Sequence, residues 1–156
     1  WSTVVQSGGR EVSQMFSGTA TPKMDAKGRI FLPAKFREAM KEGLVITRGQ
    51  DRALDVRTKA DFDVFTEKFA QASQTDGRIR AYGRMLFALA SEQIPDAQGR
   101  ITITPELRKY AELEGEVVVI GLYNRLEIWQ PAKWEAYTDM QEPSYSDIQE
   151  EILPGF

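Results

Sequence analysis

The sequence predicts a β-rich α+β domain of two pseudosymmetric repeats whose hairpins interlock to close a small barrel. The first observation behind this is a phrase that occurs twice, Asp25-Ala-Lys-Gly-Arg-Ile30 and Asp96-Ala-Gln-Gly-Arg-Ile101. Its register then holds, with Ile30–Arg37 over Ile101–Arg108, Leu44–Ile46 over Val117–Val119 and Leu54–Val56 over Leu126–Ile128. A phrase repeated at a fixed offset marks one supersecondary unit used twice. Second, each copy reads as short strands around glycine turns, interleaved with short helices. Third, so small a unit exposes too much apolar surface alone, whereas two can bury it in each other and remove open sheet edges.

Each copy opens on an extended segment, Phe16–Thr21 or Phe87–Ser91. Asp-Ala-x-Gly then forms a tight turn, because Asp bonds the amides ahead of it and Gly28 or Gly99 tolerates positive φ. The close packing of such a turn accounts for Ala26 and Ala97. A strand follows with inward Ile30/Leu32 or Ile101/Ile103, so the simplest local unit is a hairpin with the glycine at its bulge. Next comes a short helix. Pro33 starts it in the first copy, with Phe36, Ala39 and Met40 on one face and Gly43 ending it. In the second, Thr104-Pro105-Glu106 starts it, Leu107, Tyr110 and Ala111 form the face, and Gly115 ends it. Two strands follow in each copy, Leu44–Thr47 with Leu54–Arg57 and Val117–Ile120 with Leu126–Trp129, turning at 49–51 and 122–124.

A last helix closes each copy. Thr58-x-x-Asp61 caps the first, whose Phe62, Phe65 and Phe69 share a face expected in the core. Pro131 starts the second, with Trp134 and Tyr137 on the corresponding face. The chain thus divides into an arm at 1–14, a first repeat at 15–69, a connector helix at 70–86, a second repeat at 87–138 and an acidic tail at 139–156. The connector alternates apolar Ile79, Tyr82 and Leu86 with basic Arg78, Arg80 and Arg84.

Composition removes several functions. The 156 residues include no cysteine and no histidine, which excludes thiol nucleophiles, serine–histidine triads and thiolate or imidazole zinc sites. No phosphate loop, dinucleotide fingerprint or EF-hand loop is present, and no apolar run is long enough to span a membrane. Any enzyme here would have to work with carboxylates, Lys, Tyr or an oxygen-ligated metal; the expectation is a non-enzyme with no cofactor, no metal and no small-molecule substrate. Lack of cysteine fits a cytoplasmic location. Net charge is −3, yet residues 15–84 carry 14 Lys/Arg against 9 Asp/Glu, and residues 85–156 carry 5 against 13. Association responds to the local field rather than the sum, so the first repeat is the anion-facing half.

The paired turns suit DNA. A two-stranded β-ribbon fits the major groove, arginine can bond guanine O6 and N7 together, and lysine holds phosphates. Lys23, Lys27, Arg29, Lys35 and Arg37 surround the first turn, and Arg100, Arg108 and Lys109 the second. Arg29 and Arg100 have two readings of equal weight, reading bases or bridging to Asp25 and Asp96.

Beyond the doubled phrase stand Leu32-Pro-Ala-Lys-Phe-Arg37, Thr47-Arg-Gly49, Leu126-Glu-Ile-Trp129 and Trp134-Glu-Ala-Tyr137. With this ordered set, the chain from Met15 to about residue 138 resembles the MraZ family of bacterial transcription regulators, built from two AbrB-like (SpoVT-AbrB) repeats. The resemblance implies a double-split β-barrel of two swapped-hairpin halves and a ring-shaped homo-oligomer. It implies a nucleoid-associated repressor that binds tandem promoter repeats in double-stranded DNA of the division and cell-wall gene cluster. The family's Asp-x-x-x-Arg motifs contact DNA, which gives Lys23, Asp25, Lys27, Arg29, Asp96, Gln98 and Arg100 as DNA-binding residues and Gly28 and Gly99 as turn residues. Gln98 stands where a second lysine would match Lys27, so the first copy is the stronger reader.

At the ends, residues 1–14 read as an arm, an expression remnant or a translated leader with Met15 as the native start. The tail has no basic residue and is read as solubilising. Alternatively it repels DNA from one face, or docks on a neighbour through Ile148, Ile152, Leu153 and Phe156. Rivals to the DNA regulator are an AbrB-like antitoxin, a structural ring protein with non-specific DNA affinity, and an enzyme using Asp25 with Asp96. The arginine beside each aspartate opposes the last, because it holds the carboxylate ionised.

Overall fold

A computed structural model describes residues 15–156. The arm at 1–14, with its leader reading, lies outside the described residues. The chain runs β1 (Thr19–Ala20), β2 (Arg29–Phe31), α1 (Ala34–Met40), β3 (Leu44–Arg48), β4 (Leu54–Thr58) and α2 (Lys59–Ala70). After α3 (Gly77–Phe87) the same order returns as β5 (Ser91–Gln93), β6 (Arg100–Thr102), α4 (Pro105–Ala111), β7 (Val118–Leu122), β8 (Arg125–Trp129) and α5 (Pro131–Gln141). A 3-10 turn at Glu142–Ser144 leads into α6 (Tyr145–Ile152), which leaves Ile148, Ile152, Leu153 and Phe156 exposed. Among the described residues no helix is long and apolar enough to cross a membrane.

The simple hairpin expected around each turn does not form. Each turn closes on itself through two backbone bonds, Asp25 N to Arg29 O at 2.9 Å with Gly28 N to Asp25 O at 3.0 Å, and Asp96 N to Arg100 O at 2.9 Å with Gly99 N to Asp96 O at 2.8 Å. The arms then part: β1 pairs with β7, and β2 pairs with β6, Ile30 opposite Ile101. The result is a six-stranded antiparallel sheet, β1-β7-β8-β4-β3-β5, and a separate two-stranded ribbon, β2-β6. The turns carry the chain from each edge of the large sheet into the ribbon. Cross-pairing wins because it brings Ile30, Leu32, Ile101 and Ile103 into one core with Leu44, Ile46, Val119 and Ile128. A repeat folded on itself would have to leave that stripe in water, at roughly 25 cal/mol per Å². Where β5 and β6 separate, the Gln93 side chain takes the place of a strand, accepting from Thr102 N at 2.7 Å and donating to Thr102 O at 2.9 Å.

Local signals largely hold. Thr58 Oγ1 accepts from Asp61 N at 3.0 Å to cap α2, and Phe36, Met40, Leu107 and Ala111 are buried as the helix faces require. Gly115, however, does not end α4. Glu112 takes the left-handed conformation (φ 56°), and Leu113 N bonds back to Arg108 O at 2.9 Å. This end stays because Leu113 is buried beneath it. The segment expected to be extended from Phe87 is also different: α3 runs through Phe87, and the strand starts at Ser91. The cause is an aromatic seam between α2 and α3, in which Phe87 meets Phe62 and Phe69 edge-on at 6.0 and 5.3 Å. The phenylalanine stripe of α2 is therefore a half-buried satellite outside the barrel, not part of its core.

The outer face of the large sheet buries charge. Asp55 and Glu127 lie directly opposite across β4 and β8 and are 8% and 9% exposed. Arg125 joins them, its Nε 3.3 Å from Asp55 and its Nη2 3.2 Å from Glu127. Trp129 Nε1 donates to Glu127 at 2.9 Å, and Arg57 lies 3.6 Å from Asp55 beneath the Phe65 ring. Burial pushes the Asp55 carboxyl above its ordinary value, against the pull of both arginines.

Removal of Arg125 leaves two facing carboxylates without their shared cation. Arg125→Ala is expected to lower unfolding free energy by about 2–3 kcal/mol near neutral pH, less than for a fully buried pair because Arg125 is partly solvated. A carboxyl with a raised folded pKa stabilises the fold below its unfolded pKa, and that contribution is lost as pH rises through the folded value. The deficit should therefore shrink in acid. Urea unfolding across pH measures it, and a pH-independent deficit would contradict the carboxylate pair as its origin.

Candidate nucleic-acid interface

The ribbon β2–β6 has two faces, because side chains alternate along a strand. Ile30 and Ile101 turn inward and are buried. Arg29 and Phe31, paired with Thr102 and Arg100, share the outward face. The antiparallel register places the two arginines on a diagonal of that face, with one turn at each end of the ribbon. Leu32 N to Gly99 O at 3.1 Å and Ile103 N to Gly28 O at 2.8 Å extend the ladder beyond the strands and tie each turn to the other repeat.

Within a turn, one carboxylate organises everything. Asp25 Oδ1 accepts from the amides of Lys27 and Arg29 at 2.9 Å, and its Oδ2 accepts from Arg29 Nε at 2.7 Å. Asp96 does the same for Gln98 and Arg100, with the same distances of 2.9 and 2.7 Å. Both carboxyls lie below their ordinary value, chiefly through the amide of Arg29 or Arg100 and then its guanidinium. The clamp uses Nε and leaves the Nη edge of each guanidinium outside the ion pair. Bridging and base reading are thus compatible: the aspartate fixes the direction in which the arginine presents its remaining donors.

The structure brings together Asp25, Lys27, Gly28 and Arg29 in one turn and Asp96, Gln98, Gly99 and Arg100 in the other. Lys27 and Gln98 are exposed at the tips, while the glycines beside them are buried. Lys23 stands apart, in an isolated bridge to Glu116. Ala26 and Ala97 are exposed, so close packing does not explain them; the packed position is the glycine. Gly28 and Gly99 have φ of 81° and 79°, and each also supports an arginine from the other repeat. A Cβ on Gly28 would lie 2.7 Å from Ile103 O and 2.9 Å from Arg108 Cζ, and one on Gly99 would lie 2.6 Å from Arg37 Nε.

Two features of this face were not legible in the motif. Phe31, 51% exposed, lies under Arg100, with the guanidinium carbon 5.8 Å from the ring centre, whereas Arg29 has Thr102 as its cross-strand neighbour. Arg37 and Arg108 reach the turns from α1 and α4, but not the turns they were expected to surround: Arg37 lies against Gly99 of the second turn and Arg108 against Gly28 of the first. Their signal in the sequence is recurrence of the same charged residue at the repeat offset.

Comparison with known proteins agrees with the two-repeat geometry. The family described as "MraZ protein, putative antitoxin-like" matches residues 15–85 and again 86–154. A protein of Saccharopolyspora erythraea named "Transcriptional regulator MraZ" is 53% identical over 141 residues, 90% of this chain and 99% of the relative. Proteins of the same name from Kineococcus radiotolerans and Cutibacterium acnes are 48% and 49% identical, spanning 90% and 86% of this chain and 99% and 94% of their own lengths.

Gly28→Ala should destabilise more than Gly99→Ala, because its Cβ meets a backbone carbonyl whereas the other meets a side chain that can move. The left-handed strain alone costs about 1–2 kcal/mol at either position. Thermal unfolding of both variants reads the difference, and the reverse order would contradict the packing. A depressed carboxyl contributes stability above its unfolded pKa and loses it only as pH falls through the lower folded value. The carboxyl resonances of Asp25 and Asp96 should titrate with midpoints below the ordinary aspartate value of about 3.9; midpoints at or above it would disprove the clamp.

Proposed function

The chain belongs to the MraZ family, and from that premise we propose that it is a sequence-specific DNA-binding transcriptional regulator that acts as a ring-shaped homo-oligomer. It represses the bacterial division and cell-wall gene cluster by engaging tandem short promoter repeats with its Asp-x-x-Gly-Arg turns. The observation that carries this reading is the β2–β6 ribbon, whose outward face holds Arg29 and Arg100, each with its guanidinium oriented by an aspartate. A two-stranded ribbon matches the major groove in width, and an oriented fork matches guanine O6 and N7. Lys27 at the first tip supplies a phosphate contact.

One ribbon makes few contacts. Several copies in a ring meeting several DNA boxes raise avidity through effective concentration, on the order of 10²–10⁴-fold where the spacing allows. Tandem repeats therefore suit the assembly better than a single palindrome.

The deciding measurement is binding of native upstream DNA against a scrambled competitor at controlled salt. Arg29→Ala should lose about 1–3 kcal/mol per contact on the native duplex and little on the scrambled one. Full native affinity in that variant would remove the base-reading role. Equal affinity of the wild type for both duplexes would favour a structural ring protein, and light scattering that gives a single-chain mass would remove the ring.

A further inference from the structure

The motif arginines are charge-compensated, and the arginines that stand on the turns are not. Arg29 and Arg100 each face an aspartate at 2.7 Å. Residues 25–29 therefore carry only Lys27 as net charge, and residues 96–100 carry none. A polyanion is attracted by cations in excess of local carboxylates, so the second tip lacks any such attraction of its own.

Arg37 and Arg108 supply it, and they do so crosswise. Arg37, on α1, lies against Gly99 of the other repeat, and Arg108, on α4, lies against Gly28. Among the described residues neither has a carboxylate within ion-pair distance. Arg37 donates one N–H to Leu32 O at 3.0 Å, and Arg108 Nε is buried with no hydrogen-bond partner. The protein leaves both guanidiniums short of acceptors beside the turns. Covering a glycine needs only a stem of suitable length, yet both copies place an arginine there.

We infer that Arg37 and Arg108 are phosphate-binding residues, each completing the tip of the opposite repeat. The inference rests on the DNA-binding reading above and adds contacts to it. Each tip is then a composite: Lys27 and Arg29 act with Arg108, and Gln98 and Arg100 act with Arg37. Both arginines rise from helices beside the ribbon rather than from its outward face. A cation beside a groove-entering tip, and not on its base-facing side, suits the flanking phosphates. Guanidinium forks match phosphate oxygens, and such contacts set register and affinity without reading sequence. The acidic second repeat is thereby fitted for DNA, because its tip is charged by a residue of the basic first repeat.

The test is a salt series of fluorescence-anisotropy titrations of the full chain on native upstream duplex and on a scrambled duplex of equal length. Arg37→Gln and Arg108→Gln should each reduce the slope of log K against log salt by about 0.9 for every subunit engaged on the duplex. Both duplexes should weaken by the same factor, so the preference for native sequence is kept. Arg37→Lys and Arg108→Lys should restore the slope. If a Gln variant fails to fold, Arg37→Met and Arg108→Met keep a long stem over the glycine and carry the same reading. A wild-type slope in folded Gln or Met variants overturns the inference, as does a loss confined to the native duplex. Wild-type protein with no salt-dependent affinity for either duplex would sink the DNA reading and this inference together; wild-type binding with unchanged variant slopes sinks this inference alone.

Discussion

Strands β2 and β6 are three residues each, and they pair with each other rather than within their own repeats. Neither is long enough to persist alone, since a two-stranded unit in water is marginal at best. Their pairing therefore depends on Ile30, Leu32, Ile101 and Ile103 being buried by the large sheet behind them. The large sheet in turn depends on the ribbon to cover that side of its core. Each repeat supplies half of both sheets, so the two repeats form one cooperative unit. Residues near 30 must find residues near 101 before either half is complete, and such long-range pairing slows folding relative to local structure.

The same pairing sets the chemistry of the outward face. It aligns two turns at opposite ends of one ribbon and points Arg29 and Arg100 the same way. Asp25 and Asp96 then act twice, satisfying turn amides and fixing the guanidiniums. A freely rotating arginine would lose side-chain entropy on meeting DNA, up to about 2 kcal/mol. Here part of that ordering is already present in the folded protein. The carboxylates remain ionised because the amides they accept from are part of the turn itself.

Charge illustrates how tertiary structure redistributes what composition divides. The basic excess lies in residues 15–84 and the acidic excess in residues 85–156, which reads as one binding half and one architectural half. Crossing of α1 and α4 over the opposite turns mixes them. Arg37 lies beside the second tip and Arg108 beside the first. On the far face of the sheet, Asp55 of one repeat and Glu127 of the other share Arg125, a second place where the halves interlock through charge.

Local order was legible from the sequence by itself. The doubled phrase, the turn glycines, the Thr58 and Thr104 caps and the apolar alternation of Ile30/Leu32 and Ile101/Ile103 each depend on a few neighbouring residues, and neighbouring residues are what a sequence displays. The repeat and the α+β class followed from them. Only the tertiary structure decided which strand pairs with which, where α3 and α4 end, that Ala26 and Ala97 face solvent, and that the bridge to Asp25 engages Nε of Arg29 and leaves its Nη edge outside the ion pair. Phe87 extends α3 because rings of α2 lie across from it, and Leu113 ends α4 because a core lies beneath it. Those causes are contacts between residues far apart in the chain, and their energies exist only once both partners are in place.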